Sequence, residues 1–249
     1  MPQVSIIMPC RNGAKTIADA IRSVQRQTFS DWELIVIDDS STDGSASIVN
    51  NFCEQDSRIL LLQNNTPTGF PATPRNVGIQ AARGRFIAFL DCDDEWLPTK
   101  LEKQLAYFDG TTVSVCYSFY EKISNNGKRT GRVIKVPKYT NYNKLLKSCV
   151  IGNLTGMYDT KLVGKIYQRV VRQEDFLMWL EILKCCDKAI CCEEVLALYR
   201  LSRNSVSASK FKNFTWQWTS YRKELKLGFV YSLWLYINYS ISGLIKFLK

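Results

Sequence analysis

The chain has 249 residues, 46% hydrophobic and 12% aromatic, which suits one large α/β unit with a sizeable core and excludes a disordered or low-complexity protein. It contains no histidine, so Ser-His-Asp triads, Cys-His pairs and His-ligated zinc are excluded, and carboxylates must carry any acid/base or metal chemistry. Thirty-three Lys and Arg against twenty-three Asp and Glu give a net charge of +10, which suits nucleic acid, an anionic membrane or phosphorylated substrates.

Val4 to Met8 is an apolar run of buried-strand type, closed by Pro9 and the Asn12-Gly13 turn. Ile17, Ala20, Ile21 and Val24 recur at helical spacing, so a helix follows and packs onto the sheet. Leu34 to Ile37 predicts a second strand with Asp38 and Asp39 at its carboxyl end, the edge where open α/β sheets bind ligands. Ser41, Thr42 and Asp43 offer N-caps for a helix through Phe52, and Ile59 to Leu62 predicts a third buried strand. This alternation implies a parallel, doubly wound sheet.

Asn64 to Pro74 carries three prolines and Gly69 and reads as an irregular loop at the same edge, with a short helix from Arg75 to Ala82 after it. Phe86 to Leu90 then predicts a strand that delivers Asp91, Asp93 and Asp94, three carboxylates in four positions. A solvated turn with an Asp helix cap is the plain reading. The sharper one is a Mg²⁺ or Mn²⁺ site that holds a diphosphate, because crowded carboxylates raise one another's pKa or recruit a hard cation.

Pro98 starts another helix, Val113, Val115, Tyr117 and Phe119 alternate as in a strand, and Asn126-Gly127 signals a hairpin before Val133 to Val136, so the second half reads as mixed α+β. Gln173 to Cys185 carries Phe176, Leu177, Leu180 and Leu183 on one helical stripe, which puts Glu174 and Asp175 in the first turn. The macrodipole favours acids there in any case. Nine cysteines without a disulfide pattern, including the adjacent pairs Cys185-Cys186 and Cys191-Cys192, read as reduced thiols. No secretory leader precedes Val4, so a cytoplasmic location is expected.

From Lys210 onward seven cations face one acid, Glu224, so this tail holds six of the ten net charges. Leu227 to Ile245 has no charged residue, yet Ser232, Asn238, Ser240, Ser242 and Gly243 dilute it, while Phe229, Leu233, Tyr236, Ile237, Ile241, Leu244 and Leu248 fall on one stripe. That pattern predicts an amphipathic helix on a membrane surface, peripheral on the inner face of the cell membrane, better than a span. The rival is packing on the rest of the chain or on a second subunit as a homodimer. No nucleic-acid-binding signature is present, so nucleic acid is disfavoured as a partner.

Four motifs then fall in order: Pro9-Cys-Arg-Asn12, Asp38-Asp39-Ser-Ser-Thr42-Asp43, Arg75-Asn76-Val-Gly78, and Leu90-Asp91-Cys-Asp93-Asp94. Together they resemble glycosyltransferase family 2, densely over the first hundred residues. Two later landmarks, Glu174-Asp175 with Trp179, and Tyr199-Arg200 with Ser205 and Ser207, are similar to that family's acidic helix start and its Tyr-Arg…Ser-x-Ser loop. The resemblance implies an inverting enzyme with the GT-A fold: a doubly wound, mostly parallel Rossmann-like sheet, a mixed α+β acceptor half and an amphipathic helical tail. The halves divide as 1–110 for the nucleotide-sugar, 111–209 for the acceptor and 210–249 for the tail.

The expected reaction is hexose transfer from a UDP-sugar to a saccharide acceptor, polyprenyl-diphosphate-linked, in bacterial surface polysaccharide assembly. Asp93 is the first metal ligand, Asp91 contacts sugar or ribose, and Asp94 supports through water or a backbone contact, with Mn²⁺ or Mg²⁺ as cofactor. Asp39 is suited to accept from the N3 imide of uracil, which favours uridine and leaves thymidine open. Pro9 and Asn12 form the opposite wall, though each is also explained by a strand end and a turn. Arg75 is placed to meet ribose or phosphate. Asp175 is the general base with Glu174 as runner-up, and their order is not readable from sequence. Arg200, Ser205 and Ser207 belong to a loop that closes on the diphosphate. A nucleotidyltransferase would need a Gly-rich basic loop after the first strand, a dehydrogenase a Gly-x-Gly-x-x-Gly, and neither is present. A non-catalytic nucleotide-sugar-binding subunit is the third rival, opposed by intact Asp91, Asp93 and Asp175.

Overall fold

In the computed structural model, residues 1–109, 112–201 and 210–248 are described. Strand β1, Val4–Cys10, is buried along its whole length and sits between two parallel neighbours, β2 (Trp32–Asp38) and β4 (Phe86–Phe89). A strand covered on both faces must be apolar on both. Val4, Ile6 and Met8 accordingly enter one core cluster while Ile7 enters the other. Strand β3, Ile59–Gln63, closes the parallel edge beside β2.

Helices α1 (Ile17–Gln25) and α2 (Ser45–Gln55) cover the first face, with Ile17, Ala20, Ile21 and Val24 buried as their spacing requires. Helix α3, Ala72–Ala81, lies on the other face and starts three residues before the sequence reading, because Pro74 falls in its first turn, where no N–H is needed. A side chain at Gly78 would meet Ile7 at 2.6 Å and Ile37 at 2.7 Å, so this glycine sets how closely α3 approaches the sheet. The capping expectation is also revised. Gly44 holds the cap position of α2 at φ 48°, and the expected cap residues sew two loops together: Asp43 accepts from Ala14 N and Ser41 Oγ from Asn12 N, both at 3.0 Å.

The second half continues the same sheet. After β5 (Glu95–Trp96) and α4 (Lys100–Leu105) come β6 (Val115–Ile123), β7 (Arg129–Ile134), β8 (Tyr139–Thr140), α5 (Tyr142–Lys147), β9 (Met157–Asp159), α6 (Thr160–Val163), α7 (Glu174–Lys184) and β10 (Ala189–Arg200). The strand order is β3-β2-β1-β4-β9-β6-β10-β5, with β9 antiparallel to β4 and β6. The mixture of a parallel half with antiparallel insertions agrees with the expected doubly wound, mostly parallel α/β fold. Gly127 at φ 77° turns the β6–β7 hairpin. Strand β10 was not anticipated; register shifts at Cys192/Val195 and Val195/Ala197 break its alternation, so the period of two is not visible in sequence.

The tail forms α8 (Lys210–Thr219), a π-helical turn at Ser220–Glu224 and α9 (Phe229–Leu248). Helix α9 divides between the two readings offered for it. Ser232 and Leu235 are buried, and Tyr236 packs edge-on against Phe214 and Trp218, which corrects its assignment to the outward stripe. Phe229, Val230, Leu233, Trp234, Ile237 and Ile241 remain exposed. Leu244 and Leu248 lie outside the described side chains. Among the described residues no helix is long and apolar enough to cross a membrane.

Candidate active site

The carboxyl ends of β1, β2 and β4 converge on one rim, because parallel neighbours in register end together. Pro9 is buried opposite Ile37 within the β1–β2 ladder. Asn12 is left-handed at φ 52°, and its Oδ1 accepts from Thr42 N at 2.8 Å, so its side chain joins the first two loops of the rim. Asp39 is buried, donates its amide to Cys10 O at 2.8 Å, accepts from Asn64 Nδ2 and faces Arg11 at 3.6 Å.

Arg75 is the organising cation. It is 4% exposed; its Nη2 donates to Asp91 Oδ1 at 2.7 Å and its Nη1 to Glu174 Oε1 at 2.9 Å and to Gln168 Oε1 at 3.3 Å. Burial alone would lower its pKa, but Asp91 and Glu174 outweigh that and raise it. Its position differs from the sequence reading, in which it meets ribose or phosphate: both terminal nitrogens are taken by side chains at the end of β4, at Gln168 and at the acidic start of α7. Asn76 secures Gln168 by a reciprocal pair, Asn76 Nδ2 to Gln168 O and Gln168 N to Asn76 Oδ1, both 2.8 Å.

Arg200 also differs from its expected loop. It ends β10, is buried, and donates Nε to Asp93 O at 2.7 Å, Nη1 to Asn125 O at 3.1 Å and Nη2 to Glu95 Oε1 at 2.7 Å, while its amide donates to Asp94 Oδ1 at 2.8 Å. It therefore shapes the acidic turn itself. Asp94 is 2% exposed and committed to that amide, which narrows the direct metal candidates to Asp91 and Asp93. Ser205 and Ser207 lie outside the described residues.

Burial and then the Asp91 charge push Asp93 up to about 6. Burial, then Asp93 and Asp91, raise Asp94 well above the carboxylate range. Two half-buried acids that repel each other fit a divalent cation, whose charge removes the repulsion. Among the described residues no three His, Cys, Asp or Glu side chains form a ready cage.

Glu174 and Asp175 open α7, as the apolar stripe predicts. Burial raises both carboxyls; for Glu174 the Asp175 charge adds to it, and for both Arg75 opposes it. Asp175 accepts the Phe176 amide at 2.8 Å. Gln173, just before them, is left-handed at φ 61°, an uncommon state for this residue. The tail holds it there: Gln173 Nε2 donates to Gln217 Oε1 and Ser220 Oγ donates to Gln173 Oε1, both at 2.9 Å. Gln173 stands at the head of the acidic landmark, but its partners Gln217 and Ser220, and Gln168, were missed in sequence because amides and hydroxyls carry no pattern of their own. Trp179 packs between Phe89 and Tyr158 and against Gly156, where a Cβ would lie 2.3 Å from its ring.

The mixed sheet with carboxylates at its strand ends has the GT-A fold. Residues 5–162 match the model of glycosyl transferase family 2, and the chain belongs to that family. It is 42% identical over 246 residues to the UDP-Glc:α-D-GlcNAc-diphosphoundecaprenol β-1,3-glucosyltransferase WfgD of Escherichia coli, covering 98% of this chain and 94% of that protein. It is 35% identical to the putative teichuronic acid biosynthesis glycosyltransferase TuaG of Bacillus subtilis, covering 98% and 97%. Among solved structures, S. aureus TarS 1-349 in complex with UDP-GlcNAc superposes with a TM-score of 0.73 at 20% identity, over 96% of this chain and 71% of that one. The mannosyltransferase PcManGT of Pyrobaculum calidifontis, in complex with GDP-Man and Mn²⁺, gives 0.70 at 19%, over 91% and 65%.

Proposed function

We propose that the chain transfers a hexose from a UDP-sugar to a saccharide on a polyprenyl diphosphate, with inversion, in surface polysaccharide assembly. The observation that carries this is the buried Arg75, which joins Asp91 of the donor rim to Glu174 of the acidic helix start and so makes one cleft of two chemistries. The acceptor in the name of WfgD supports the acceptor class, and the name of TuaG supports a role in polysaccharide biosynthesis.

Residues 1–110 form the donor half and 111–209 the acceptor half of this reading. Asp39 accepts from the uracil imide, with Pro9 and Asn12 along the same wall. Asp93 and Asp91 hold the divalent ion, Mn²⁺ or Mg²⁺, which when bound neutralises charge on the departing diphosphate. Glu174 is committed to Arg75, so Asp175 takes the proton from the acceptor hydroxyl. Its burial keeps the proton affinity high enough for that role. Arg200 acts on the site by fixing the backbone of Asp93.

The exposed face of α9 supports peripheral attachment to the inner membrane surface, with Lys147 at 4.5 Å from the Trp234 ring as one rim cation. A homodimer is the alternative use of that face. The test of the reaction is a panel of UDP-hexoses with a synthetic N-acetylglucosaminyl diphosphate lipid and Mn²⁺, the product anomer being read by NMR. A β-linked product from an α-linked donor is expected. A retained anomer, or sugar nucleotide formed from a sugar phosphate, contradicts the proposal.

A further inference from the structure

The acceptor that the proposed function requires carries a second diphosphate, for which none of the residues assigned above is a partner. The cleft's other guanidinium groups are already engaged: Arg11 with Asp39, Arg75 with Asp91 and Glu174, and Arg200 with Glu95. Arg169 is engaged by Glu181 and Glu224. Arg172 differs from all four. It is exposed, and among the described residues no carboxylate lies within salt-bridge reach of it.

What holds Arg172 is aromatic. Its guanidinium carbon lies 4.8 Å from the centre of the Phe70 ring, in the loop after β3, and 5.2 Å from the Trp216 ring, on α8. Rings engage the flat face of a guanidinium and leave its edge N–H groups to form paired hydrogen bonds with phosphate oxygens. An arginine arranged this way gives up less side-chain freedom on binding an anion.

Position supplies the rest. Arg172 precedes Asp175 by three residues, which span roughly 10 Å at most. One hexose ring separates the hydroxyl at the base from the diphosphate on the same sugar's anomeric carbon. The left-handed Gln173, pinned by Gln217 and Ser220, fixes the turn between the two side chains. Trp216 lies on α8 two residues before Trp218, which packs against Phe229 and Tyr236 of α9, so this arginine is tied to the helix pair whose second member exposes an apolar face. We propose that Arg172, held by Phe70 and Trp216, binds the diphosphate of the lipid-linked acceptor. This assignment rests on the acceptor class proposed above.

Binding and transfer are measured on the full chain with the synthetic N-acetylglucosaminyl diphosphate lipid, with UDP affinity in Mn²⁺ read alongside. For Arg172→Ala the KM and Kd of that probe are expected to rise about tenfold or more while UDP affinity stays within about twofold, and Arg172→Lys recovers part of the loss. Trp216→Leu moves the probe's KM in the same direction by less. Unchanged probe affinity in Arg172→Ala, or an equal loss of UDP and probe affinity, overturns the assignment. Wild-type chain that binds UDP but not the diphosphate lipid overturns the acceptor reading instead.

Discussion

Arg75 and Asp91, sixteen residues apart in sequence, meet at 2.7 Å in a site where the guanidinium is almost fully buried. The same arginine reaches Glu174, so a single side chain fixes the spacing between the end of β4 and the acidic start of α7. A buried ion pair is weak evidence for stability, but losing one partner leaves the others buried and unpaired.

Arg75→Ala is therefore expected to lower stability by about 3–5 kcal/mol and to abolish transfer. Arg75→Lys keeps the charge but not the fork, and should fold better than Arg75→Ala while losing at least about tenfold in kcat. Urea unfolding and initial rates check both; a fully active Arg75→Ala would contradict the bridging role.

Asp175→Asn is expected to lower kcat by about 10²–10⁴-fold, with UDP affinity unchanged, whereas Glu174→Gln keeps a hydrogen bond to Arg75 and loses less. A base acts unprotonated, and burial lifts Asp175 above the ordinary 3.8, so kcat/KM should rise with pH through a limb above that value. The pH profile of the wild type checks this. An acid limb at or below the ordinary value would contradict it.

Lys100 is buried, bonded to Gln104 and 4.3 Å from the Trp96 ring, and burial lowers it to about 7 from 10.5. Its folded pKa lies below the unfolded one. The cost of burying the cation is therefore fully present below about 7 and fades as the pH rises toward 10.5. Lys100→Met should raise stability by about 1–4 kcal/mol near pH 7. That gain should shrink by pH 10, and thermal unfolding at the two pH values checks it.

For α9, replacing Leu233 and Ile237 with serine is expected to reduce sedimentation with vesicles rich in anionic lipid without changing UDP binding. Raised salt should weaken the wild type's attachment as well, because part of it is electrostatic. Undiminished sedimentation of the double variant would favour the subunit-contact alternative.

Much of the first hundred residues was legible because the information there is local. Apolar runs ending in Asp39 or Asp91 announce parallel strands, and those strands must end on one rim. The roles of Arg75 and Arg200 were not legible, since their partners lie 99 and 107 residues away in Glu174 and Asp93. A cation in a motif suggests phosphate until the competing carboxylates are located. Asp94 was expected to act through water or a backbone contact, and the Arg200 amide that it accepts lies 106 residues away, so the partner itself was not readable. Strand β10 was hidden by its bulges, and the inward turn of Tyr236 in α9 by a choice between two partners that composition does not rank.

The central claim is that the acids at the end of β4 act on a nucleotide diphosphate through a divalent ion. Its most direct test is the rate of UDP release from the accepted UDP-hexose, with acceptor, as Mn²⁺ is titrated into wild-type and Asp93→Ala chains. Turnover that requires the ion in the wild type and falls by about 10²-fold or more in the variant is predicted. Equal turnover of the two chains would contradict it.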